Sequence, residues 1–411
     1  MNESSPSKDG ADELFASIFT EAGHDDPHDH WRRLREVAPV HRTAEGVFYV
    51  SDHQACQQVL RDPNFRAFGR NRLYGPQWKE HPIYYRLDEI LGGMDAPDHT
   101  RQRGAVAGFF KPRRLEKLRD RMEHIVEELL AEMENGFDGN SVDFVARFAL
   151  PLPVNVVGEV VGVRSMMSTP VPDLALHWTQ GYDPAASAET LARADEAMDE
   201  LYAYFGDLID QRERAGATGD DLIAHMLATT GTPTGLSRAE MIPMLVTLCG
   251  GGFETTTRLL TNAVVTLSRR PDLHARLRAE PWLIPTAIEE FLRHDATVQF
   301  LGRLVAEDTE LLGVPIPAGS PVNLSIIAAN RDPKVFVQPD EIDIERKPNP
   351  HLTFIAGVHF CLGAHLARME AQVALQAITR RYARLELAGP PVQAPGFAMR
   401  GYADVPLAYH R

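Results

Sequence analysis

The apolar positions of this chain recur mostly at helical spacing, i, i+3, i+4 and i+7, and alternate as strands do in only two stretches. Residues 29–36 predict a short helix that must stop before Pro39. Residues 40–51 predict a two-stranded hairpin around Ala44, Glu45 and Gly46. Residues 117–133 and 187–214 read as long amphipathic helices, the second with Ser187 as its N-cap. After a loop at 231–235, Ser237-Arg238-Ala239-Glu240 has the S-x-x-E form of a capping box. No proline follows Pro243 until Pro271, so the helix it opens reaches Arg270, a length of about 50 Å. An element of that length predicts a central spine. Residues 281–294 form a further helix, and 304–329 turn to β character with turns at Gly313 and at Pro317-Ala318-Gly319. Residues 330–350 are irregular, and a last helix spans 362–380. The pattern predicts a mainly α fold with a minor β part. Glycine and proline are spread along the chain, which predicts one domain over 26–411 behind a disordered polar tail, 1–25.

The spine contains an anomaly. Met244 to Leu260 reads MLVTLCGGGFETTTRLL, with Gly250, Gly251, Gly252, Glu254 and three threonines at its centre. Each interior glycine costs a helix roughly 1 kcal/mol against alanine. A carboxylate on a mostly apolar helix costs more unless something pairs or uses it.

Composition narrows the function classes. The formal net charge of −15 argues against nucleic acid as a partner. One local exception is a basic stretch holding Arg101, Arg103, Lys111, Arg113, Arg114, Lys117, Arg119 and Arg121 against only Glu116 and Asp120. It reads either as a docking patch for an acidic partner or as a solvated helical face. The three cysteines, Cys56, Cys249 and Cys361, lack C-x-x-C spacing, which argues against a disulfide framework or a structural zinc site and fits a reducing cytoplasm. No run of ~18 uncharged apolar residues predicts a membrane span, and the polar N-terminus lacks the apolar stretch of a secretory leader.

The strongest chemical signal is HLTFIAGVHFCLGAHLAR, His351 to Arg368. Cys361 stands just before a helix N-terminus, where the dipole and free backbone N–H groups lower a thiol pKa and favour the thiolate. Gly357 and Gly363 bracket it and let the backbone approach a large flat ligand, while Phe354 offers a ring to cover the sulfur. A lone cysteine before a helix is otherwise an inert buried thiol. The stretch resembles the haem-binding loop of the cytochrome P450 family, F-G-x-G-x-H-x-C-x-G, which Phe354, Gly357, His359, Cys361 and Gly363 match. Ile355 stands where the family usually has glycine or another small residue. The resemblance, to soluble bacterial members, implies that Cys361 is the axial thiolate of a haem b iron and that His359 contacts a propionate. A thiolate ligand pushes electron density onto iron and favours O–O cleavage.

Other blocks of the family follow in order from Asp26 to Leu407. Glu290-x-x-Arg293 in AIEEFLR, completed by Arg346, resembles the family's structural triad. MDAPDHTRQR resembles its D-P-P-E-H-T-R-x-R block, which implies that His99 and Arg103, with Arg303, bind propionates. The anomalous helix resembles the family's oxygen-binding helix, [A/G]-G-x-[D/E]-T, filled by Gly251, Gly252, Glu254 and Thr255. The small residues are then expected to open a groove over the haem. Glu254 and Thr255 form an acid–alcohol pair that supplies the two protons O₂ activation consumes alongside two electrons.

The resemblance therefore implies the cytochrome P450 fold with its long helix over haem, and a monooxygenase that hydroxylates or otherwise oxidises a medium-to-large, mostly apolar molecule, one of secondary metabolism for instance. Coupling, desaturation or peroxygenation on the same scaffold and a non-enzymatic haem-thiolate sensor are the alternatives. The chain has no flavin or iron–sulfur motif, so electrons from NAD(P)H are expected through a ferredoxin and its reductase. Arg101, Arg113, Arg114, Lys117, His365 and Arg368 are the expected docking surface. Expected substrate contacts are Trp78, Tyr84, Tyr85, Thr247, Gly250, Gln299, Leu301, Phe397 and Met399, with Gly250 marking extra room above the iron.

Overall fold

One 32-residue helix, Arg238–Arg269, organises the molecule. Its capping box forms as expected: the Ser237 backbone N–H donates to Glu240 Oε2 at 2.8 Å. It is α-helical throughout, so the expected groove is not an interruption of the helix. The computed structural model describes residues 8–67, 79–216 and 218–411.

Two helices absent from the periodicity reading wall this spine, Pro151–Val161 and Val171–Gln180. Both carry prolines in their first turn, which is compatible with a helix start and disguised them as loops. Ala188–Arg214 packs nearby, with Ser187 Oγ accepting the Thr190 N–H at 3.1 Å. Arg119–Asn135 and the C-terminal helix Ala364–Arg381 complete the helical core.

Among the described residues the largest sheet of the minor β part has five strands, ordered Val40–Arg42, Phe48–Val50, Pro321–Ser325, Phe300–Val305, Phe65–Arg66, beside one three-stranded and two two-stranded sheets. Among the described residues, only Phe48–Val50 and Pro321–Ser325 pair in parallel. The β character expected over 304–329 ends at Ser325, where the chain turns into the short helix Ile326–Ala329.

The expected disordered tail is corrected over residues 8–25, and residues 1–7 lie outside the described residues. Residues Lys8–Ile18 and Glu21–Asp25 are helical. Ile18 is buried, and the rings of Phe15 and Phe19 pack on Tyr49, while Phe19 also meets Phe300 and Phe397. Aromatic burial against the sheet supplies the ordering that a polar composition did not suggest.

Candidate active site

Three successive glycines of the spine point in three directions, as residues about 100° apart must. A Cβ on Gly250 would collide with the indole of Trp178 on Val171–Gln180, and one on Gly252 would lie 2.8 Å from Val157 Cγ2 on Pro151–Val161. A Cβ on Gly251 would meet nothing within 4 Å. Gly250 is therefore a packing notch facing away from the cavity, and the expectation that it widens the pocket is wrong. The open position is Gly251.

Gly251, Gly252, Thr247, Thr255, Leu301 and Phe354 share the walls of one cavity with Cys361. Thr255 Oγ1 donates to the Gly251 carbonyl at 2.7 Å. Cys361 enters through a tight loop in which its N–H donates to Phe354 O at 3.0 Å. Gly357 has φ +74°, and a Cβ there would collide with Leu60 O. Ile355 has φ +55°, left-handed backbone that strains a β-branched residue. The geometry thus explains why a small residue suits this position, and the loop holds its shape with isoleucine in it.

The thiol itself departs from expectation. Burial pushes the Cys361 thiol up, and the N–H groups of Gly363 and Ala364 with the charges of Arg103 and Arg368 only partly offset this. A helix start alone does not make this sulfur a thiolate.

Two arginines and two imidazoles line the same cavity: Arg103, Arg303, His99 and His359. The imidazoles of His99 and His359 lie 4.2 Å apart. Their Nε2 atoms and Arg303 Nη2 are buried without hydrogen-bond partners. Burial, then Arg303 and His99, push His359 down to about 4, and burial pushes Arg303 down to about 10. Arg103 Nη2 donates to the Phe360 carbonyl at 2.6 Å. Buried donors gathered without acceptors call for an anionic ligand.

Glu254 is not over this cavity. Its carboxylate pairs with Arg258, whose Nε lies 3.0 Å away, and accepts from Thr179 Oγ1 at 2.7 Å. It lines a separate chamber with Arg258, Thr179 and the 396–399 turn. The triad forms as expected: Arg293 binds Glu290 in two bonds of 2.8 Å, and Arg346 Nε adds one of 3.0 Å.

The substrate expectations divide. Met399 and Leu301 line an adjoining apolar chamber with Phe19, Tyr49, Tyr182 and Phe300, and this chamber shares Gly92, Leu301 and Arg303 with the cavity. Phe397 faces the Glu254 chamber. Gln299 lines neither: it is buried, and its Nε2 donates to Phe397 O at 3.0 Å, which secures that turn. Tyr84 is buried against Leu191 and Tyr85 is 49 % exposed, so neither reaches the cavity. Trp78 lies outside the described residues. Missed by sequence reading were Phe19, inside the supposed tail, and Glu370, a buried carboxylate on the cavity wall. The signal that exposed Glu254, a lone carboxylate at an apolar-periodic position, also marks Glu370.

The basic surface is thinner than expected. Arg101 pairs with Glu240, Arg114 with Asp220 at 2.8 Å, and Arg368 with Glu289 at 2.6 Å. Their charges are spent within the fold. Arg113, Lys117 and His365 are exposed and carry no ion pair among the described residues. Val358 and Phe360, a few residues before His365 in the chain, are 72 % and 39 % exposed.

Residues 282–395 match the family model described as Cytochrome P450. Over 388 residues the chain is 36% identical to mycinamicin IV hydroxylase/epoxidase of Micromonospora griseorubida, which covers 92% of this chain and 94% of that protein. The chain belongs to the cytochrome P450 family. It is likewise 36% identical to nocardicin C N-oxygenase of Nocardia uniformis subsp. tsuyamanensis, over 93% of this chain and 96% of that one. The solved structure of P450BioI, in complex with an acyl carrier protein ligated to hexadec-9Z-enoic acid, superposes with a TM-score of 0.88 at 30% identity, covering 95% of this chain and all of that one. A cytochrome P450 monooxygenase carries haem, and the residues present fit it: a sulfur in one wall, an unobstructed glycine in another, and orphaned donors suited to two carboxylates. No described helix is long and apolar enough to cross a membrane.

Proposed function

We propose that this cytochrome P450 binds haem b through Cys361 and oxidises a medium-to-large, mostly apolar molecule in the cytoplasm, with electrons from NAD(P)H through a ferredoxin and its reductase. The observation that carries this reading is the single cavity that gathers Cys361, Thr255, Gly251, two arginines and two imidazoles. His99, Arg103, Arg303 and His359 would hold the propionates, which gives the unpaired donors their acceptors. Bound haem supplies the oxidising chemistry, the activation of O₂ with two electrons and two protons. The protein's own residues position and protonate. Thr255 holds a hydroxyl at the cavity wall, tied to Gly251 O. Glu254 takes protons from the outer chamber and must leave Arg258 and Thr179 to bring one inward.

The adjoining chamber favours an apolar substrate, since its outer wall is Phe19, Tyr49, Tyr182, Phe300 and Met399. The names of the two relatives, a mycinamicin IV hydroxylase/epoxidase and a nocardicin C N-oxygenase, support oxidation of a small organic molecule. Arg113, Lys117 and His365, with the exposed Val358 and Phe360, form the reduced docking surface for an acidic ferredoxin.

Two measurements test this. Reduction under carbon monoxide is expected to give the red-shifted band of a thiolate haem in the wild-type protein, and Cys361→His to lose it. An imidazole-type band in the wild type would remove Cys361 as ligand. Thr255→Ala is expected to divert electrons to peroxide; unchanged coupling would remove its role.

A further inference from the structure

Phe19 stands between the helices Lys8–Ile18 and Glu21–Asp25, and both sides fix its place. Ile18 before it is buried, and Thr20 after it caps the second helix, its Oγ1 accepting the Gly23 N–H at 3.2 Å. A Cβ on Gly23 would lie 2.4 Å from the carbonyl oxygens of Ser17 and Ile18, so only glycine lets the second helix close this tightly on the first. Ser17 Oγ and His30 Nδ1, 2.7 Å apart, tie the turn to the helix Pro27–Val37. The Phe19 ring stacks on Phe300 with centroids 6.0 Å and planes 18° apart, and its centroid lies 5.3 Å from that of Phe397. Phe300 belongs to the strand whose Leu301 and Arg303 line both the Cys361 cavity and the adjoining apolar chamber. Phe19 and Phe300 line the chamber alone. From Arg303 to Phe300 the strand covers about 10 Å. The two spaces are of similar size, about 260 and 280 Å³. Haem would fill the first, which leaves the second for substrate.

Building on the haem reading above, we propose that Phe19 is a specificity-determining residue, whose ring is the end wall of the substrate chamber and sets how long an apolar substrate can be. The substrate class is an elongated molecule that lies along Phe300–Arg303, one end in the Cys361 cavity and the other against Phe19. Phe19, Phe300 and Met399 present hydrocarbon and no charge there, so the far end of the substrate is apolar too. The wall is firm because the turn that carries it is held by Thr20, Gly23 and His30, and not by the substrate. Shortening the side chain at 19 therefore lengthens the chamber without moving the strand along which substrate lies.

The test uses the full chain loaded with haem and a series of 1-alkylimidazoles, whose ring anchors at the iron while the tail probes the chamber. Dissociation constants are read from the shift in haem absorbance. In the wild type, affinity is expected to rise about threefold to fourfold per methylene and to stop rising at the length where the tail meets Phe19. Phe19→Ala is expected to move that break to longer tails and Phe19→Trp to shorter ones, with affinities for the shortest tails unchanged. Amide hydrogen exchange over residues 14–25 should slow with the longest tails bound and not with 1-methylimidazole. A break at the same length in all three proteins, or a wild-type affinity that rises through the whole series, overturns the proposal. So does a uniform loss of affinity in Phe19→Ala with the break unmoved, which would make the ring structural only. If Phe19→Ala fails to load haem, Phe19→Leu and Phe19→Trp carry the comparison. A wild type without the thiolate carbon monoxide band overturns the haem reading instead, and a break that moves with the side chain at 19 would still uphold this one.

Discussion

Two buried charge clusters in this molecule look alike in sequence and differ in how they are completed. Around Glu290 both carboxylate oxygens are saturated by Arg293, Arg346, Asn349 and the Asp343 N–H. Around the cavity, His99, His359 and Arg303 keep donors, and Glu370 an acceptor, with nothing to bond. The Glu290 carboxylate has spent both its oxygens on the fold, although Asn349 Oδ1 beside it is left without a partner. The open cluster holds its polar groups for a ligand or a proton, because leaving buried polar groups unpaired costs stability.

The contrast can be broken by substitution. Arg293→Ala leaves Glu290 charged and without its bidentate partner in a fully buried setting, and is expected to cost about 3–5 kcal/mol in urea unfolding. Arg303→Leu in the haem-free chain should be neutral or stabilising, since Asp95 and the one Nη1 bond to Gly302 O only partly offset its burial, yet it should weaken haem retention in a transfer assay.

The acids sharpen the comparison. The Glu370 carboxyl is raised from its ordinary 4.5 to about 8 in the folded chain. The unfolded chain ionises above 4.5 while the folded chain keeps its proton, so this contribution is complete below pH 4.5 and is lost as pH rises to 8. Against the wild type, Glu370→Gln should gain on the order of 4 kcal/mol between pH 4.5 and pH 8. Urea midpoints of both proteins across that range check this; parallel curves would contradict it.

The glycines give smaller effects of opposite sign. Gly250→Ala must displace Trp178 and is expected to cost about 1–3 kcal/mol by thermal unfolding. Gly251→Ala meets nothing and should gain up to about 1 kcal/mol from helix propensity. Smallest is Ile355→Gly. Relief of the left-handed backbone offsets lost apolar contact, and the unfolding free energy should stay within about 0.5 kcal/mol of the wild type.

Legibility followed range along the chain. The capping box at Ser237 and the loop around Cys361 were readable because their determinants lie within a few residues. The Glu290–Arg293 pair shares one helix turn and was equally plain. Gly250 was misassigned because its direction is decided by Trp178, which lies 72 residues earlier on a helix hidden behind Pro170 and Pro172. Tyr84, Gln299 and Phe19 were misplaced for the same reason: which face an aromatic or amide presents depends on distant partners. Arg101, Arg114 and Arg368 looked like free charge until Glu240, Asp220 and Glu289 were brought beside them by the fold.

The three glycines also set terms for anyone redesigning the chamber. Positions 250 and 252 hold two neighbouring helices at contact distance, so adding bulk there moves walls instead of lining them. Position 251 is the free dial. Successively larger side chains at 251 would narrow the space beside Thr255 one carbon at a time, while the two helices that frame it stay where they are.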